Sequence, residues 1–178
     1  MNPIDIIEKY YPEDNALRRL LIHHSRQVAE KALSVADNHP ELKLDRKFLY
    51  NAAMLHDLGI FKTDAPGIYC HGTEPYLLHG FIGAEIMRSE GYPDIARVCE
   101  RHTGTGLTRE EIEKQNLPLP HGDYCPETTA EKVICYADKF YSKSHPDKER
   151  TVEQVEKSLE KFGEKGVHKF KEWNALFG

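Results

Sequence analysis

DRKFLYNAAMLHDLG, residues 45–59, is the stretch whose reading decides the fold. Leu49, Ala52 and Ala53 recur at the three- and four-residue spacing of one helix face, and Asp45 stands where a side-chain oxygen can cap a first turn. The spacing therefore predicts a helix from Asp45 to about Asp57, followed by a loop that begins around Gly59. His56 continues the apolar stripe, and Asp57 is beside it. Two ionisable groups thus occupy positions that face a core. Burying either without a partner is costly, so the rest of the chain should contain whatever balances them.

Outward from this segment the apolar spacing stays helical. A short helix from about Pro3 to Tyr10 breaks at Pro12, and a long one runs from about Asp14 to Asp37 with Leu17, Leu20, Leu21, Val28 and Val35 on one face. Downstream, Gly59, Pro66, Gly67, Gly72 and Pro75 mark a loop long enough to shape a pocket. A helix from about His79 to Glu90 stops at Gly91, and another starts near Pro93 and ends around Thr103. Thr108 with Glu111 and Thr128 with Glu131 form capping-box patterns on either side of a second long loop, Asn116 to Pro126. The second box opens a helix carrying Val133, Ile134, Ala137 and Tyr141. Two further helices close the chain, the first an amphipathic cover with Val155, Leu159 and Phe162 opposite Lys157, Glu160 and Lys161. No segment alternates strictly enough to be a half-buried strand. The expected fold is all-α: one domain over residues 1–178, a helical bundle with its core in about 17–141 and C-terminal helices 151–177 packed on it.

Composition narrows the functions. A net charge of −5 and a pI near 6.1 provide no broad basic field, so a nucleic-acid strand or an anionic bilayer is not an expected partner. No apolar run reaches the length of a membrane span, and Asp5, Glu8 and Lys9 lack the order of a signal peptide; the expected location is cytoplasmic. Cys70, Cys99, Cys125 and Cys135 show no C-x-x-C spacing and are read as reduced thiols.

Six ionisable residues fall on apolar stripes. His24 continues Leu17, Leu20 and Leu21; His56 and Asp57 end their helix; His79 shares a face with Ile82 and Ile86, His102 with Ile95 and Val98, and Asp138 with Ile134 and Tyr141. One such residue would read as a hydrogen-bonded core group, whereas six on five helices call for a shared counter-charge, which a metal ion supplies. Imidazole with carboxylate suits iron, manganese, zinc, nickel or cobalt, and a set without cysteine argues against a closed structural zinc site.

The runs HHSRQVA from His23, LHDLG from Leu55, HGFIGAE from His79, RHTG from Arg101 and YADK from Tyr136 resemble the HD-domain metal-dependent phosphohydrolase superfamily over about Leu17 to Tyr141. The pattern is similar to its two-metal subgroups, among them the symmetrical diadenosine tetraphosphate hydrolases and the cyclic dinucleotide phosphodiesterases. The resemblance implies an HD-type bundle with two divalent transition-metal ions, Fe or Mn ahead of Zn, Ni, Co or Mg. It implies His24, His56, Asp57 and Asp138 on one metal, His79 and His102 on the second, and Asp57 bridging them and orienting an attacking hydroxide. The implied substrate is a small phosphorylated molecule, a nucleotide or dinucleotide. Many superfamily members place a lysine directly after the doublet's glycine, whereas here Ile60 and Phe61 precede Lys62. Lys62, Arg26, Arg101 and Lys139 are candidate contacts to substrate charge, and His71 and His121 candidate proton donors. His23, His39, His145 and His168 read as surface residues. The same ligand set is also found in HD-type di-iron oxygenases, and a regulatory module that binds metal or nucleotide without turnover is a third reading. Hydrolysis is favoured because RHTG and YADK are closer to the hydrolases and because basic residues flank the ligands. Oligomeric state has no sequence signal here.

Overall fold

A computed structural model describes residues 1–178. Helices α1 (Pro3–Tyr10), α2 (Ala16–Asn38), α3 (Arg46–Leu55), α4 (His79–Ser89), α5 (Pro93–Glu100), α6 (Arg109–Gln115), α7 (Thr129–Asp138), α8 (Val152–Glu160) and α9 (Glu164–Phe177) make up the fold. Their starts follow local chemistry. Asn15 and Asp45 accept hydrogen bonds from the Arg18 and Phe48 N–H groups, and both capping boxes form with reciprocal bonds. A third box, Thr151 with Gln154, opens α8.

Helices α2, α3 and α7 pack together, with α4 and α5 as a close pair beside α3. Leu21, Val28, Leu49, Met54, Leu55, Met87, Val98 and Ile134 are buried in one continuous apolar cluster. At its far end Phe170 and Phe177 of α9 pack on Tyr136 of α7, with ring centroids 5.4 and 5.5 Å apart. No helix is long and apolar enough to cross a membrane.

Several boundaries differ from the sequence reading. α3 ends at Leu55, so His56 and Asp57 lie just beyond it, and α5 ends at Glu100, two residues before His102. α7 stops at Asp138, and Tyr141 lies in a hairpin of β3 (Tyr141–Ser142) and β4 (His145–Glu149). A smaller ladder pairs β1 (Asp64–Ala65) with β2 (Cys70–His71) inside the first long loop. These pairs are two to five residues long and bury only Cys70, so no alternating pattern announced them; the fold remains helical. Phe162, expected on the inner face of the last amphipathic segment, is 86% exposed, because α8 ends before it and the chain turns at Gly163 with φ of +105°.

Candidate metal centre

Helix ends deliver most of the cluster. Asp57 leaves the helical conformation at φ −106°, ψ 16°, His79 is the first residue of α4 and Asp138 the last of α7, while His24 comes from the buried middle of α2. A residue at a helix end can turn its side chain across the axis, so five segments converge here without cutting any helix.

Asp57 is fully buried, and its two oxygens face different groups. Oδ2 lies 3.2 Å from Nε2 of both His24 and His56, and Oδ1 lies 3.2 Å from His79 Nε2 and 3.0 Å from His102 Nε2. Asp138 Oδ1 adds contacts of 3.0 Å to His24 and 3.2 Å to His56. Two ligand-competent clusters result, His24–His56–Asp57–Asp138 and Asp57–His79–His102, sharing Asp57.

Proton placement leaves inward-facing nitrogens for a cation, one in the first cluster and two in the second. Backbone carbonyls of Ala53, Tyr76 and Cys99 lie 2.6, 2.7 and 2.7 Å from Nδ1 of His56, His79 and His102. Each of those Nδ1 atoms therefore donates, leaving the neutral imidazole's Nε2 with a lone pair aimed inward. His79 Nε2 and His102 Nε2 sit 3.0 Å apart, and Asp57 Oδ1 is buried without a hydrogen-bond donor. Two lone pairs and a carboxylate oxygen facing one another repel unless a proton or metal cation lies between them. The donor set fits divalent metals.

Electrostatics agree. Burial alone would raise the carboxyls of Asp57 and Asp138, but neighbouring cations, His56 and Lys143 at the first and Lys139 at the second, hold both well below the usual carboxylate range. Burial would lower His56, yet Asp57 and Asp138 lift it to about 10; at His102 burial and the neighbouring imidazoles outweigh Asp57 and push it down to about 4. Without metal, His56 takes up a proton readily, whereas His102 resists one.

The sequence reading missed Lys143. Its ammonium donates to Asp57 Oδ2 at 2.7 Å from the turn between β3 and β4, and it stands 5.8 Å over the Tyr76 ring. Tyr76 in turn stacks on His79, with ring centroids 4.4 Å apart. Tyr76, Asp138, Lys143 and Arg150 line an open cleft of about 420 Å³ that leads to the cluster. Nothing periodic marks Lys143, since a hairpin turn carries it.

The other candidates are scattered. Lys139 donates to the His102 carbonyl at 2.9 Å and to Asp138 Oδ2 at 3.0 Å, bracing the cluster from behind. Arg101 donates to the Cys125 carbonyl at 2.6 Å and to Glu127 at 2.9 Å, pinning the second long loop. Arg26 is exposed and lies about 200° around α2 from His24, so the cluster is behind it. Lys62 is exposed beside Phe61, and His71 is exposed on β2. His121 is exposed near Glu113. His39 is only half-exposed, with Nε2 3.1 Å from the Phe177 carbonyl.

Against known proteins, the family model described as HD domain matches residues 21–143, a span that contains all six clustered residues. The chain belongs to the HD domain family. This HD domain is 33% identical over 150 residues to a tRNA (cytidine(56)-2'-O)-methyltransferase of Picrophilus torridus, covering 84% of the chain and 38% of that protein. It is 32% identical over 175 residues to the protein of the same name in Thermoplasma volcanium, covering 94% of the chain and 45% of that one. The chain therefore spans less than half the length of either. An uncharacterized protein of Methanocaldococcus jannaschii is 32% identical over 145 residues, 79% of this chain and 78% of its own. Among solved structures, the HD domain of the L. monocytogenes phosphodiesterase PgpH superposes with a TM-score of 0.52 at 15% identity over 93% of this chain and 96% of that one. A second structure of the same domain, in complex with cyclic-di-AMP, superposes equally at 17% identity. At that identity the likeness is one of fold.

Proposed function

We propose that this HD domain is a metal-dependent phosphohydrolase that acts on a small phosphorylated substrate, a nucleotide or dinucleotide. The observation that carries the reading is Asp57, with one oxygen turned to His24 and His56 and the other to His79 and His102. His24, His56, Asp57 and Asp138 would hold one divalent ion, His79 and His102 the second, with Asp57 shared. When bound, two such ions neutralise phosphoryl charge and make water a competent nucleophile at neutral pH.

The chain's own groups divide the remaining work. Carbonyls of Ala53, Tyr76 and Cys99 keep the Nδ1 protons in place, so three Nε2 lone pairs are preset toward the ions. Asp138 is held by Lys139, which also fixes the His102 carbonyl. Lys143 and Arg150 line the cleft with positive charge, and the Lys143 ammonium, now on Asp57 Oδ2, would be placed to donate to a phosphoryl oxygen of a substrate in that cleft. Tyr76 walls the cleft against His79 and keeps water from that side. Arg26 faces away from the cluster and Arg101 is tied to the second long loop, so of the flanking candidates only the exposed Lys62 and His71 would meet the distal part of a larger substrate.

The PgpH complex contains a cyclic dinucleotide, which favours nucleotides as the first compounds to try. A second reading is favoured by the identity to two tRNA methyltransferases: an HD domain acting beside tRNA methylation, with a tRNA end or a nucleotide product as substrate. The test is a phosphoester panel, including cyclic and linear dinucleotides and tRNA, run on protein loaded separately with Mn, Fe, Co, Ni or Mg beside an oxygen-uptake assay. Metal-dependent release of phosphate or nucleotide without oxygen uptake is expected. Oxygen consumption coupled to substrate loss without phosphate release would place the chain with the di-iron oxygenases, and metal binding with no turnover on any compound would leave the regulatory module.

A further inference from the structure

A second cavity, of about 610 Å³, lies between the segment that follows His102 and the C-terminal helices, and none of the six clustered residues lines it. Its volume is within the range of small-molecule sites. One wall is loop: Thr103, Gly104 and Thr105, where Gly104 takes φ of +57° and a Cβ there would meet nothing within 4 Å. The opposite wall brings Lys161, Lys165 and Lys169 to the same space. Lys165 and Lys169 are one turn apart on α9, and Gly166 between them brings the helix to the Thr105 side chain, so both ammonium stems flank the contact.

Two features separate this cavity from an ordinary solvated groove. In a chain of net charge −5, three lysines line it against one carboxylate, Glu111, which pairs only with Lys165, at 3.1 Å. Phe162, at 86% exposure, is the most exposed large apolar residue of the protein and stands on the lining beside Lys161. An aromatic face left in water next to three lysines on one wall suits a ligand with a flat ring at one end and phosphate at the other. Threonine hydroxyls on the loop wall add donors for phosphate or ribose.

We propose that this cavity is a second, non-catalytic binding site for a nucleoside phosphate. Phosphate oxygens lie among Lys161, Lys165 and Lys169, with Lys165 leaving Glu111, and the base stacks on Phe162. The site does not require the metal ions, and it stands whether or not the hydrolytic reading does. It also bears on the metal centre, since the Thr103–Gly106 wall continues from His102 and Cys135 Sγ donates to the Gly104 carbonyl at 3.3 Å.

The experiment is a calorimetric titration of the full chain after chelator treatment, verified folded by circular dichroism, with ADP, adenosine and inorganic phosphate as probes. ADP is expected to bind more tightly than adenosine or inorganic phosphate, and more weakly as salt is raised. A K165A/K169A double variant should weaken ADP at least about tenfold, with its melting temperature nearly unchanged because Lys165 makes only an exposed ion pair and the half-buried Lys169 makes none. Phe162→Ala should weaken ADP and adenosine while leaving inorganic phosphate as it was. No ADP binding by the chelated wild type overturns the proposal. So does ADP binding that neither the lysine double variant nor Phe162→Ala diminishes, which would place the ligand in the cleft beside Lys143 instead.

Discussion

Replacing Asp57 by Asn keeps the shape of the proposed bridge and deletes its charge. Five nitrogens lie within 3.2 Å of its oxygens, the nearest being the Lys143 ammonium at 2.7 Å, with that side chain only 13% exposed. In metal-free protein the substitution strands this ammonium, whereas the proton on His56 keeps Asp138 at 3.2 Å as its partner. Removing one partner of a buried ion pair costs about 3–5 kcal/mol. We take about 3 kcal/mol, because Lys143 retains some solvent access; at roughly 2–4 °C per kcal/mol for a chain of this size, the melting temperature should fall by about 6–12 °C. With metal supplied, elemental analysis of D57N should find both ions weakened, and turnover should drop at least about 10³-fold, equivalent to about 4 kcal/mol. A D57N/K143M double variant separates the two effects: it removes the stranded ammonium, so thermal stability should largely return while metal content and turnover do not. The reasoning is refuted if folded D57N keeps two metal equivalents and turns over within about tenfold of wild type. It is refuted in its electrostatic part if the double variant melts no higher than D57N.

Three further outcomes follow from other parts of the site. Folded His79→Ala or His102→Ala variants should lose mainly one ion by elemental analysis and most of the activity; two ions and near-native turnover would end the two-metal assignment. Gly59→Ala places a Cβ 2.2 Å from the His79 carbonyl oxygen and 2.5 Å from the Gly83 nitrogen, forcing α4 away; about 3 kcal/mol or more should be lost in urea denaturation, together with metal on the His79 side. Glu131 is buried, caps α7 and pairs with Arg97 at 2.9 Å, so Glu131→Ala should cost about 2–3 kcal/mol. Burial would raise its carboxyl, but Arg97 and two backbone N–H groups hold it below the ordinary value of 4.5. That contribution is present above 4.5 and lost as pH falls through the lower folded value, so the gap between wild type and variant, read by urea denaturation from neutral pH downward, should narrow in acid.

The six clustered residues were legible because each occupies a position that helical periodicity assigns to the core, and a buried charge without a partner is improbable on energetic grounds. The helices were legible for the same local reason, from capping boxes such as Thr128 with Glu131 to the breaker at Gly91, since caps and apolar stripes act within a few residues. That His56 and Asp57 lie just past α3 rather than inside it was not visible, because the apolar spacing runs on through the helix end. Tertiary structure alone decided which way Asp57 turns each oxygen. It also decided that Lys143, from the turn between β3 and β4 with no pattern of its own, ends 2.7 Å from Asp57, and that Lys139 and Arg101 spend their charge inside the protein. Such contacts span 86, 37 and 24 residues of chain, and no short-range preference encodes a meeting over that separation. The sequence by itself determined which residues had to be neutralised, because burial is written in local periodicity; the structure decided what neutralises them, because that depends on how separate helices and loops pack.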